Sequence, residues 1–130
     1  MKLNPECIRD ILSVIEAIVD TANQTYTCSI DIFQKQDPVL QKYPANVVFY
    51  HFQQIWLSGY LYNGKIHSSG EISFMDLSPE GHELLNKLRT PKPFSAVKKF
   101  VGITGSAGIQ QMAAIATESL IKHLPDLMNN

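Results

Sequence analysis

His51 and His82 are the side chains best suited to moving protons, and Glu80 and Glu83 stand beside the second of them. Histidine titrates near neutral pH, so a histidine pair with a carboxylate can act as acid and base or ligate a metal. Such a site also needs a third ligand or a nucleophile at a defined spacing, and none accompanies this pair. Cys7 and Cys28 form no CxxC, and two thiols alone build neither a zinc site nor a disulfide scaffold. His51 therefore reads as a structural residue at the margin of a core, and His82 as a residue on a half-exposed helix. Ser78 precedes Pro79 and reads as a helix cap, because no base or oxyanion site can be placed beside it. Gly102, Gly105 and Gly108 invite comparison with a phosphate cradle. The GxxxxGK[ST] pattern is absent, however, and no strand–GxGxxG–helix unit surrounds them. The expectation is no enzyme: no catalytic residue, no metal, no cofactor and no small-molecule substrate.

Recognition is the remaining chemistry. The stretch 46–76 reads as a helix, a glycine stop and two short apolar runs, which is the core of a winged-helix domain. In such domains the second helix of the helix-turn-helix enters the major groove of DNA. Here it offers Asn46, Tyr50, Gln53 and Gln54, and Asn and Gln can read adenine. Lys42, Lys65 and His67 flank it as phosphate contacts. Against this, no Lys or Arg occurs from Ala45 to Asn63, and phosphate contacts supply most DNA affinity. Lys87, Arg89, Lys92, Lys98 and Lys99 form a basic cluster outside the reading helix, which reads as a solvated face. The competing surface is apolar. Phe49, Tyr50, Trp56 and Leu57 spread round the helix, and such a surplus marks an interface, with Phe49, Trp56 and Leu57 as its anchors. The partner would be another protein or a second copy in a symmetric dimer.

These residues must be positioned by their neighbours. Asn4-Pro5-Glu6 is a cap, a proline and an acid, the start of a helix over 5–22 that buries Ile8, Ile11, Leu12, Ile15, Ile18 and Val19. Residues 26–30 alternate as a strand facing the core with Tyr26, Cys28 and Ile30. A short helix can begin at Ile32, and Asp37-Pro38 starts another turn or two before Pro44. The central helix spans 46–58, with Val48, Phe52 and Ile55 as its core stripe, and Gly59 stops it. The runs 60–66 and 71–77 form a hairpin whose tip is His67-Ser68-Ser69-Gly70. Ser78-Pro79-Glu80 opens a helix burying Leu84, Leu85 and Leu88. Gly81 in its first turn costs helix propensity and suggests the close approach of another backbone. Thr90-Pro91-Lys92-Pro93 reads as a linker. Beyond it come a short helix over 94–101, the three glycines as interruptions, and a last helix over 107–124 that Pro125 ends.

Composition bounds the setting. With 130 residues, 45% of them hydrophobic, and a net charge of −1, the chain suits one ordinary globular domain with an appendage. The first residues lack a signal peptide's apolar core, and no run approaches the roughly 18 apolar residues of a membrane span. A cytoplasmic protein with two buried free thiols and no membrane partner is expected.

Three blocks carry a resemblance: Asn4-Pro5-x-x-Ile8-Arg9-Asp10-Ile11-Leu12, Tyr50-His51-x-x-x-Ile55-x-x-x-Gly59-Tyr60-Leu61, and Leu77-Ser78-Pro79-Glu80-Gly81-His82-Glu83-Leu84-Leu85. Together they resemble the domain-of-unknown-function family 2513, small bacterial proteins frequent in prophages and mobile elements. The resemblance covers most of the chain and implies a winged-helix fold without an established activity. Phe94 stands where the family pattern suggests tryptophan. The expectation is thus an α+β fold: a winged helix-turn-helix over residues 1–90, a three-helix core with a small β-hairpin wing, followed by a helical extension over 91–130. The expected role is a small DNA-binding or transcription-regulatory protein. The alternative is a dimerisation or adaptor module that binds no DNA.

Overall fold

The computed structural model describes residues 1–20 and 24–123. Helix α1 (Pro5–Val19) begins as its sequence dictates: the Asn4 side chain accepts the Glu6 N–H at 2.9 Å, and Pro5 occupies the first turn, where its missing N–H costs nothing. It buries Cys7, Ile8, Ile11, Leu12, Val14 and Ile15. The expected extension to Ala22 lies outside the described residues. Strand β1 is shorter than the alternation suggests, Tyr26–Cys28, because Ser29 caps a helix instead. Its hydroxyl accepts the Ile32 N–H at 3.2 Å, so Ile30 opens α2 (Ile30–Gln34) and is not a strand residue. A 3-10 turn, Pro38–Lys42, follows under an Asp37 cap.

Helix α3 (Ala45–Leu57) is the expected central helix to within a residue, and Gly59 ends it at φ +82°. That conformation is strained for any residue with a Cβ. The chain then runs out and back as an interrupted hairpin. Strands β2 (Leu61–Tyr62) and β5 (Asp76–Leu77) pair at its base, while β3 (Lys65–Ile66) and β4 (Ile72–Phe74) pair toward its tip. The tip is the polar loop read from sequence: the Gly70 N–H donates to the His67 carbonyl at 2.9 Å and the His67 N–H to the Glu71 carbonyl at 2.8 Å. Strand β1 adds to the far side of β4, placing Tyr26 opposite Phe74. Phe33, Phe52 and Phe74, from α2, α3 and β4, meet with ring centroids 6.0 to 6.2 Å apart and seal the core.

Helix α4 (Pro79–Arg89) starts under Ser78, and Gly81 does what its cost suggests: a Cβ there would lie 2.3 Å from the Tyr60 carbonyl oxygen. The expected linker is a helix. Thr90 alone separates α4 from α5 (Pro91–Thr104). Pro91 and Pro93 both fall in the first turn, whose N–H groups have no helical acceptor, so neither proline removes a bond. Gly102 lies within α5 and does not interrupt it; Gly105, at φ +81°, ends it. Helix α6 (Ile109–Lys122) folds back on α4 and α5, burying Ile109, Met112 and Ala116, and Lys87 donates to the Thr117 hydroxyl at 2.8 Å. The C-terminal segment thus packs on its own body; Leu124 and Pro125 lie outside the described residues. The architecture is α+β, with helices around two small antiparallel sheets.

Candidate functional site

Helix α3 carries most of the candidate contact residues, and its wheel sorts them. Val48, His51, Phe52 and Ile55 face the core. The opposite side carries Asn46, Gln53 and Leu57, with Tyr50 at its edge. Asn46 is exposed and Gln53 half-buried, and neither side chain makes a hydrogen bond within the chain among the described residues. Two helical turns separate them, roughly 10 Å along the axis. Gln54 sits to one side, lining a shallow groove with Met1, Lys2, Leu3 and Gln111. Tyr50 borders the same groove and donates to the Met1 carbonyl at 3.1 Å.

The flanking cations are placed differently from one another. Lys42 is committed: its ammonium lies 2.7 Å from Glu6 and 3.1 Å from Asp10. Those carboxylates raise the lysine's pKa, and the lysine's hydrogen bond holds the Glu6 carboxyl below the usual range. Asp10 is itself buried and accepts the Tyr43 hydroxyl at 2.7 Å. Burial, then that hydrogen bond, push the Tyr43 phenol far upward. Lys65 is exposed on β3 with no ion pair among the described residues. His67, at the hairpin tip, sits 3.1 Å from the Ser73 hydroxyl.

The apolar candidates also divide. Phe49 and Trp56 are half-buried against the core, and the Trp56 indole donates to the Gly64 carbonyl at 2.9 Å, tying α3 to the hairpin. Leu57 is 64% exposed. Tyr62, five residues on, is 53% exposed on β2, although strict alternation from the buried Tyr60 would turn it inward, so no sequence signal marked it.

The two histidines do not meet as a catalytic pair. His51, expected at the core margin, lies inside it at 1% exposure. Its Nε2 accepts the Asn4 N–H at 2.8 Å and its Nδ1 donates to the Val47 carbonyl at 2.8 Å, so the ring is neutral and fully satisfied. Burial lowers its pKa. His82 faces Asp76, 3.3 Å from its carboxylate. Ser78 is a double cap: its hydroxyl accepts the Gly81 N–H at 3.1 Å and donates to the Gly59 carbonyl at 2.8 Å. Among the described residues, no three His, Cys, Asp or Glu side chains gather as a metal site, and no helix is long and apolar enough to cross a membrane.

The family model described as hypothetical protein (DUF2513) matches residues 2–107. No curated protein and no solved structure matches the chain.

Proposed function

The chain belongs to this DUF2513 family, and from that footing we propose that it is a winged-helix protein that binds duplex DNA through α3 and the tip of its hairpin. The order of elements supports the fold reading: α2, a ten-residue connection that holds the 3-10 turn, and α3 would serve as the helix-turn-helix, and the hairpin from β2 to β5, with β1 beside β4, would serve as the wing. One observation carries the function. Asn46 and Gln53 stand on the outward side of α3 with amides that no group engages among the described residues, and such amides pair with adenine in the major groove. Their separation corresponds to about three base steps at roughly 3.4 Å each. Lys65 is the cation at hand for a phosphate, since Lys42 already serves two carboxylates. With so few phosphate contacts, the logarithm of affinity falls only about one to two units per decade of salt. Titrating the protein onto mixed-sequence duplex DNA at low and at moderate salt tests this. Binding with that shallow slope is the expected result; no binding at low salt overturns the reading.

A second reading rests on Leu57 and Tyr62, both largely exposed where α3 runs into the hairpin. They favour a protein partner on the same surface, since exposed apolar and aromatic side chains at one place mark an interface. Loss of partner-independent DNA binding together with an intact fold would select this reading.

A further inference from the structure

Helices α5 and α6 form a hairpin of two 14-residue helices, each about 21 Å long. One side packs on α1 and α4. On the other side no described residue covers a groove of about 330 Å³ that runs between the two helices. Ala96, Phe100, Ile103, Ile115 and Ser119 line it, so its lining is mainly apolar and small side chains let another helix come close. Ile103, at 76% exposure, is the most exposed large apolar side chain among the described residues. A side chain of that kind beside an apolar groove loses free energy to water unless something covers it.

The charges at the rim say what that is. Glu118 is the lone carboxylate on α5 and α6, which also carry Lys92, Lys98, Lys99 and Lys122. Glu118, Lys99 and Lys122 all border the groove, and none of the three forms an ion pair among the described residues. A two-fold axis pairs residue i of one protomer with j of the other, and j with i. Laid face to face across such an axis, Glu118 of each protomer meets Lys99 of its partner. A rim of one sign would repel its own copy; this rim sets Glu118 beside Lys99 and Lys122, so opposite charges can meet across the axis. Each Ile103 then enters the other protomer's groove.

We propose that the α5–α6 face binds a second copy of this chain, hairpin against hairpin, as a two-fold dimer built on a four-helix bundle. This stands apart from the DNA reading, because it uses none of the α3 residues.

Sedimentation equilibrium of the full chain tests it, over concentrations from about 1 to about 100 μM. The expected species is twice the 14.6 kDa chain mass. Ile103→Glu raises the dimer dissociation constant by about 30-fold or more, as loss of a central anchor does. Glu118→Lys weakens the dimer by placing lysine against lysine, and the charge exchange Lys99→Glu with Glu118→Lys restores it. All of these sites are at the surface, and circular dichroism verifies that each variant is folded. A monomer throughout the concentration range overturns the proposal. So does a dimer that ignores Ile103→Glu and both charge variants, or one that Leu57→Glu alone dissociates, which would place the contact on α3.

Discussion

The Nε2 of His51 accepts the backbone N–H of Asn4 at 2.8 Å, joining the start of α1 to the middle of α3 across 47 positions of sequence. That N–H is one of the unsatisfied donors at a helix start, and the bond needs a neutral ring. Burial holds the imidazole below its ordinary value of 6.5. The unfolded chain therefore binds the proton more readily than the folded one, and stability rises with pH across that interval. The contribution is complete above pH 6.5 and is lost as pH falls from there toward the folded value. Urea midpoints measured from pH 8 to pH 5 should decline, and His51→Phe should flatten that part of the decline. His51→Ala should cost about 2–4 kcal/mol, by leaving the N–H unpaired and a cavity behind.

Gly81→Ala should destabilise the protein although alanine is the better helix former by about 1 kcal/mol. The new methyl would stand 2.3 Å from the Tyr60 carbonyl oxygen, which belongs to backbone and cannot rotate away. That carbonyl also accepts the Ser78 N–H at 3.0 Å, so a shift would loosen the α4 cap. A net loss of about 2 kcal/mol or more is expected in denaturant unfolding. An unchanged midpoint would show that α4 is free to slide.

The α3 amides and the hairpin lysine should separate on DNA. Replacing Asn46 and Gln53 together with Ala should lower affinity for a selected site by about 2 kcal/mol or more and leave non-specific binding nearly unchanged. Lys65→Ala should weaken binding to all sequences alike and reduce the salt slope by about 1. Fluorescence anisotropy at several salt concentrations measures both. Lys42→Ala should act on stability more than on DNA, because its ammonium is held by Glu6 and Asp10.

Both thiols should resist labelling in the native state. Cys7 and Cys28 are free and buried, and burial pushes the Cys7 thiol up to about 12 and raises that of Cys28 as well. The thiolate is the reactive form. A thiol-reactive dye at pH 8 should modify neither until the chain unfolds, at least about a thousandfold more slowly than in urea. Rapid native labelling would mean that the α1 side of the core opens locally.

Local signals carried most of the element boundaries. Asn4-Pro5, Asp37-Pro38 and Ser78-Pro79 each start a helical segment because a capping side chain and a proline act within four residues of one another. Thr90-Pro91 has the same form, yet Pro93 makes it look like a linker; only the position of both prolines in one first turn removes the conflict. Ile30 was misleading for a similar reason, since strand alternation and the Ser29 cap compete for one residue and the cap prevails. What the sequence conceals is long-range. Nothing near His51 marks Asn4 as its partner, and the Lys42–Asp10–Tyr43 cluster joins residues more than thirty positions apart. Of the α3 surface, the polar residues were legible, but their division was not. Tyr50 and Lys42 are taken up by the N-terminal residues, and Asn46, Gln53 and Lys65 have no hydrogen-bond or ion-pair partner among the described residues.

Helix α1 lends the fold a particular timing. It buries the apolar residues Cys7 to Ile15 against α3, β5, α4 and α5, and Arg89 reaches back 73 positions to its Glu16 at 2.7 Å. During synthesis α1 leaves the ribosome first, yet its last covering helices follow some 75 to 85 residues later. At about 5–20 residues per second that is a delay of roughly 4 to 17 seconds. For that interval a helix whose stripe from Cys7 to Ile15 is buried in the finished fold waits without α4 and α5, so the nascent chain should be a client of holding chaperones until Leu84, Leu85 and Leu88 emerge.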